Sequence, residues 1–188
     1  MELNNKIQFE HKGEKCELRP LQASDVSKNY VKSLREQEYI KMTSPNINKA
    51  KQRKYIEEIQ VKENQFINGL FVEDVFIGSS GVQLENKFLN LFKSNNEQIA
   101  LVGILLFDNN YLGKGFGKIL IWASTFIFYK SLGINFFGAG MKKSNLVSLY
   151  SFKSCGYEIC NKEKKSYKVL LNYDNLIKPE TIHKARIV

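Results

Sequence analysis

Three glycines in five residues carry the first chemistry: Gly113, Gly115 and Gly117, within Asp108-Asn109-Asn110-Tyr111-Leu112-Gly113-Lys114-Gly115-Phe116-Gly117-Lys118. The segment follows one apolar run and opens another. Glycines alternating at such a junction let successive backbone N–H groups point into one concavity. The start of a helix adds the positive end of its dipole, so the product is a site for phosphate or pyrophosphate. Two phosphate loops are excluded. A Walker loop needs G-x-x-x-x-G-K-[ST], whereas Gly113 to Gly117 is one residue short and Ile119 stands where the hydroxyl belongs. A dinucleotide fingerprint needs a third glycine where Lys118 lies. Taken alone, the glycines fit a tight strand-to-helix turn equally well.

A second constellation lies downstream, in Gly138-Ala139-Gly140-Met141-Lys142-Lys143-Ser144-Asn145-Leu146-Val147-Ser148 and on through Phe152 to Gly156-Tyr157. Together the two segments resemble the Gcn5-related N-acetyltransferase (GNAT) superfamily. Its pyrophosphate-loop pattern, Q/R-x-x-G-x-G/A, is met by Gly115 and Gly117. Leu112 occupies the Q/R position, a departure that removes one side-chain contact and leaves the backbone cradle. The family's later pattern is matched in register by Asn145, Ser148, Phe152, Gly156 and Tyr157. Leu18-Arg19-Pro20-Leu21 with Asp25 is similar to the ribosomal-protein-acetylating branch. Gly103 to Gly117, with Ala139-Gly140 ahead of Asn145, is similar to a bacterial subgroup whose members often sit with enzymes that build amino sugars for surface polysaccharides. The resemblance runs from about residue 16 to residue 173.

The resemblance implies an α/β (α+β) fold with a mixed, mostly antiparallel central sheet, flanked by helices and splayed at its centre. It implies acetyl-CoA as cosubstrate and no metal. The pantetheine arm would run along Leu105, Leu106 and Phe107, where an N–H polarises the thioester carbonyl; Leu106 and Phe107 are the catalytic candidates on that ground. Leu112, Gly113, Lys114, Gly115, Phe116, Gly117 and Lys118 would hold the pyrophosphate. Asn145, Ser148 and Phe152 complete the cofactor side, with Asn145 also suited to capping the helix it precedes.

Acid–base groups are sparse. Family members often protonate the leaving thiolate with a tyrosine where this chain has Phe152. The loss is tolerable, because a thiol of pKa about 8.5 leaves readily enough. Tyr150 is two residues away on a helix and faces elsewhere. Glu85 and Glu97 flank a polar excursion before the apolar run at 99–107, and Glu85, with Gln83 beside it, is the first choice for base and acceptor contact. Leu101 replaces a carboxylate that this branch often carries two residues before Gly103. Arg19 can clamp an anionic acceptor or serve a structural ion pair. His11 and His183, near opposite ends, read as surface residues.

The elements that position these residues follow from periodicity. Cys16 to Leu21 reads as a strand, and Ser24-Asp25 as the cap of a helix carrying Val26, Tyr30, Leu34 and Tyr39. Pro45 breaks the chain before a second helix capped by Asn48. Strands are expected at Phe66–Glu73 and Val75–Leu84, joined at Glu73-Asp74, and at Ile99–Phe107, apolar on both faces as a central strand should be. A strongly apolar helix reaches Leu132 and closes at Gly133. A strand at Ile134–Met141, a short helix at Asn145–Cys155 and a hairpin of Tyr157–Cys160 with Ser166–Tyr173 complete the pattern. Residues 1–173 thus read as one domain, and 174–188 as a tail without clear period, docked or disordered.

Composition bounds the reading. The 188 residues are 43% apolar and 25% charged, which suits a globular domain with a core of its own. Three cysteines, with no C-x2-C pair among them, argue against a disulfide framework or zinc cluster and for a cytoplasmic setting. The most apolar run, Ile119 to Tyr129, is too short for a bilayer span of roughly 20 residues, so no membrane insertion is expected. The net charge of +9 comes from 28 basic and 19 acidic residues. Only Arg19, Arg35, Arg53 and Arg186 are arginines, a ratio that argues against sequence-specific nucleic-acid binding. Most of the charge reads as solvated surface, and the remainder suits an anionic small molecule. The expected activity is acetyl transfer from acetyl-CoA by direct attack of a primary amine, that of a nucleotide-linked amino sugar. Protein N-terminal or small-amine acetylation, and an acyl-CoA-binding module without turnover, are the alternatives. A homodimer is left open.

Overall fold

The computed structural model describes residues 5–37, 42, 44–85 and 98–188. Glu97 and Tyr39, named above, lie outside them. Among the described residues nine strands form one sheet: β1 (Ile7–His11), β2 (Glu14–Pro20), β3 (Gln65–Val72), β4 (Val75–Glu85), β5 (Ile99–Leu106), β6 (Phe136–Lys142), β7 (Glu158–Lys162), β8 (Ser166–Asn172) and β9 (Ile182–Ile187). Their order is β7-β8-β6-β5-β4-β3-β2-β1-β9. Every neighbouring pair is antiparallel except β5 with β6. The mixed, mostly antiparallel sheet expected from the sequence is therefore present.

Among the described residues four helices cover it: α1 (Lys28–Glu36), α2 (Lys49–Gln60), α3 (Phe116–Leu132) and α4 (Leu146–Lys153). The helix α3 is apolar nearly all round because it is buried nearly all round, with ten of its residues out of solvent, Ile121, Trp122 and Phe128 among them. Each such large side chain contributes about 1.5–3 kcal/mol of burial. It packs on β4 and β5, with α4 against its flank. On the opposite face α1 and α2 enclose a smaller core of Leu21, Val26, Tyr30, Leu34, Ile47, Ile56 and Phe71. Among the described residues no helix is long and apolar enough to cross a membrane.

Local chemistry explains the boundaries. Asn48 caps α2, its side chain accepting from Lys51 N at 3.0 Å. The cap of α1 is Ser27, which accepts from Tyr30 N at 3.1 Å, and not Ser24-Asp25. Asp25 is drawn elsewhere: its carboxylate takes the Arg19 guanidinium and the Gln22 N–H, closing the short 3-10 turn Ala23–Asp25. Glu73 and Asp74 both adopt positive φ, 44° and 65°, as the two-residue turn between β3 and β4 requires.

Residues 174–188, set apart as a tail by sequence, supply the edge strand β9, antiparallel to β1. Ile182 and Ile7 are buried there. Ile7, Phe9 and His11 alternate with exposed or half-buried neighbours along β1, so His11 is buried, only 1% exposed, where a surface histidine was expected. It is the third inward member of a period-two strand.

Candidate functional site

The parallel contact between β5 and β6 is short. Ile99, Ala100 and Leu101 pair with Phe136, Phe137 and Gly138, and the strands then part. On its other side β5 stays paired with β4 from Ile99 to Leu106. Phe107 N donates to Ile77 O at 3.1 Å, in register with that ladder. Alternation then turns the odd-numbered residues of β5 toward β4 and gives the N–H and C=O groups of Val102, Ile104 and Leu106 the parted edge. Leu106 thus offers the opening an N–H. Phe107 does not, because its N–H is engaged by Ile77. Ile104, which sequence reasoning passed over, shares the edge; only the pairing register reveals it.

The glycine segment lies at the end of this opening. Asp108 accepts from Asn110 N at 2.9 Å and starts a 3-10 turn at Asn109–Tyr111. Gly113 and Gly115 then adopt φ of 73° and 96°, and a Cβ built on either would meet nothing within 4 Å. Their glycine identity is required by the left-handed backbone, while the side where a Cβ would sit is open space. Gly115 caps α3, and Lys118 N and Ile119 N are the first helix donors, both onto Gly115 O. The N–H groups of Phe116 and Gly117 precede that first bond and are not used by the helix. Leu112, Lys114 and Lys118 are exposed, and Phe116 is buried. This cradle fits a diphosphate: unused donors, a helix N-terminus and flanking ammonium groups.

The helix α4 closes the same side. Asn145 caps it, accepting from Ser148 N at 3.1 Å, so its carbonyl serves the helix end. Ser151 comes within 3.7 Å of where a Gly117 Cβ would stand. Phe152 is buried edge-on against Tyr157, at 4.9 Å between centroids, whereas Tyr150 is 64% exposed. Tyr157 is spent on Thr125, at 2.8 Å, and burial pushes its hydroxyl pKa upward.

On the face of α1 and α2 lies a cleft of about 1090 Å³. It is lined by Tyr30, Lys51, Gln52 and Tyr55 from the helices and by Ser79, Gly81 and Gln83 of β4. It also takes in Leu101, Gly103, Ile104 and Leu105 of β5 and Ala139 and Gly140 of β6, and so reaches the parting of the strands. Gly81 and Gly103 pair across the ladder and leave bare backbone as floor. Gln52 Nε2 donates to the buried Tyr30 hydroxyl at 3.5 Å. Among the described lining residues Lys51 is the sole charged one.

The remaining sequence candidates fall outside this cleft. Glu85 pairs with Ile99 while Leu106 pairs with Gly78, a separation of seven strand residues, roughly 23 Å at about 3.3 Å each. Glu85 accepts from Gln83 Nε2 at 3.1 Å, and Gln83 is the member of that pair that lines the cleft. Arg19 forks onto Asp25 at 2.8 and 2.9 Å and stacks on Phe71 at 3.8 Å. The pair holds Asp25 below the usual carboxylate range against the cost of burial. Burial pushes the Cys16 and Cys155 thiols up to about 12 and raises Cys160 as well, so none is poised as a nucleophile. Among the described residues no group of three His, Cys, Asp or Glu is placed to hold a metal ion.

No protein-family model matches the chain, and no curated protein matches it by sequence. Solved structures match its fold. A protein of uncharacterized function from Bacillus halodurans superposes with a TM-score of 0.74 at 17% identity, covering 93% of each chain. An acetyltransferase of the GNAT family from Streptococcus pneumoniae gives 0.63 at 12% identity over 84% of this chain and 98% of its own. The aminoglycoside acetyltransferase AAC(6′)-Ib, in complex with coenzyme A and kanamycin, gives 0.66 at 14% identity over 84% and 95%. The chain has the fold of the GNAT acetyltransferases.

Proposed function

We propose that the protein transfers the acetyl group of acetyl-CoA, by direct attack, to the primary amine of a nucleotide-linked amino sugar. The observation that carries the reading is the junction of two spaces. The parted edge of β5 ends at the glycine cradle, and the cleft on the opposite face opens onto the same parting. Bound acetyl-CoA supplies an activated acyl group on a thiol leaving group.

The chain's own residues do the rest. Val102, Ile104 and Leu106 present strand-edge donors and acceptors to an extended amide-bearing arm, as an added strand would require. The Leu106 N–H is the candidate to stabilise negative charge at a carbonyl oxygen, where a fixed dipole costs no reorganisation. Residues 112–118 hold a diphosphate, with Lys114 and Lys118 adding positive charge. Tyr30, Gln52, Ser79 and Gln83 line the acceptor cleft with neutral hydrogen-bonding groups suited to hydroxyls and amides, and Lys51 suits a diphosphate. A polyamine or basic peptide would want carboxylates, and the described lining has none. With the thiols held neutral by burial, direct attack by the amine is favoured over a covalent acyl-enzyme.

A thiol-release assay with acetyl-CoA tests this. Nucleotide-linked 4-amino sugars should release thiol well above background, while peptides and polyamines should not. Turnover of peptides alone would overturn the acceptor assignment, and no amine-dependent release across the panel would leave a CoA-binding module.

A further inference from the structure

The N-terminal hairpin touches the phosphate cradle, and it does so through two adjacent residues. Lys12 and Gly13 form the tight turn between β1 and β2, with φ of 51° and 85°. From that turn Lys12 Nζ donates to Lys114 O at 3.2 Å, across 102 residues of sequence. Its neighbour His11 lies edge-on to Phe116, the first residue of α3, at 4.7 Å between ring centroids, and Tyr111 meets the same ring at 5.1 Å. Phe116 is therefore clamped between a hairpin residue and a loop residue. Behind the hairpin β9 holds β1 in place, with His11 paired to Ile182 and Lys184 bound to Glu10 at 2.8 Å.

His11 is the anomaly in this contact. Neither ring nitrogen has a hydrogen-bond partner among the described residues, although the ring is 1% exposed. Burying a polar group without a partner is costly, so such groups call for an explanation. The surroundings suggest one. The ring faces the main chain of Lys114 and of Thr181, both of which favour a proton on it, while burial opposes one. The charged side chains acting on it are Lys12, which opposes protonation, and Glu14, which favours it. The Lys114 ammonium is turned over Tyr111, at 5.9 Å, and the nearby Cys16 thiol is uncharged.

We propose that the corner made by His11 and Lys12 positions the phosphate loop, and that a diphosphate entering the loop is accompanied by uptake of a solvent proton on His11. Lys12 fixes the Lys114 carbonyl, and His11 supports Phe116 beneath the first turn of α3. A diphosphate in the cradle offsets the local positive charge, and the protonated ring then donates toward the main chain beside it. Both are positioning residues. The inference rests on residues 112–118 being the diphosphate site.

The sign is fixed by linkage. Burial holds the free protein's His11 below its ordinary pKa, and a bound anion raises it, so affinity must rise as pH falls through the bound-state value. The probe is dephospho-CoA, which lacks the 3′-phosphomonoester that would itself titrate near about pH 6. By calorimetry, wild-type affinity should rise about threefold or more from about pH 7.5 to about pH 5.5. Measurement in two buffers of different ionisation enthalpy should show fractional proton uptake. His11→Phe, which keeps an aromatic ring and removes the proton site, should bind with a flat pH profile. Lys12→Met should weaken binding about fivefold at the higher pH, and Lys12→Arg should restore it. Wild-type binding without pH dependence or proton uptake would overturn the inference, as would an unchanged Lys12→Met. The proton-uptake measurement needs no variant to fold. Absence of any wild-type binding would overturn the diphosphate site itself, a separately readable result.

Discussion

The proposed cofactor cradle and the proposed acceptor cleft are built by opposite means. The cradle is backbone: two left-handed glycines, unused N–H groups at the start of α3 and the free edge of β5. Its side chains matter mainly where they are missing. The cleft is side chains gathered from six elements, with Tyr30, Lys51, Gln52, Ser79 and Gln83 brought together from separate parts of the chain. Only its floor, Gly81 opposite Gly103, is bare. A backbone site can accept one kind of ligand across many chains, because every residue carries the same donors. A side-chain site is where one chain's acceptor choice is made. On the proposed reading that choice lies in the described lining, neutral but for Lys51.

That contrast can be broken at either end. The largest effect is expected at the cradle. Gly115→Val puts a β-branched residue at φ 96° and fills the open side of the loop. The strain should cost roughly 1–2 kcal/mol, leaving the fold intact by thermal melting. CoA affinity by calorimetry should nevertheless fall at least about tenfold. A smaller and differently placed effect is expected from Gly103→Val. Valine suits a strand, and the nearest atom to the new Cβ is Gly81 O at 4.0 Å. Melting should be unchanged and CoA affinity should stay within about twofold, while the KM for the amine rises about fivefold as the branched side chain occupies the cleft floor. If Gly103→Val instead weakened CoA as much as Gly115→Val, the two spaces would not be separate sites.

The same difference governs what the sequence could disclose. The cradle is local: its glycines, the apolar helix that follows and Gly133 at its close are contiguous, and backbone geometry demands those residue types. Asn48 and Asn145 were readable as caps for the same reason. The parting of β5 from β6 was implied by resemblance alone, since a register belongs to two strands and is written in neither. The cleft left no local mark. Gln52 stands among lysines in sequence but on the buried helix face with Ile56 and Ile59, and Ser79 lies in an apolar strand, so their roles come from what α1 and α2 place beside them. His11 had a signal, the alternation Ile7, Phe9, His11, which its polar type concealed. The strand β9 was hidden by its own irregularity. Its register against β1 shifts near Gln8 and Glu10, and Lys184 adopts φ 50°, which breaks the period-two pattern. Ion-pair chemistry was legible as a choice: Arg19 was read as clamp or structural pair, and its fork onto Asp25 commits it to the latter in this structure.

The most direct test is to map where CoA lands. In amide-resolved NMR of the labelled protein, added CoA should perturb Ile104, Leu106 and the amides of residues 113–118. Gly81, Gln83 and Lys51 should stay near their free positions until an amine acceptor is added. Perturbation confined to Tyr30, Lys51, Gln83 and their neighbours, with the glycine loop silent, would place the nucleotide in the other cleft and contradict the two-sided site.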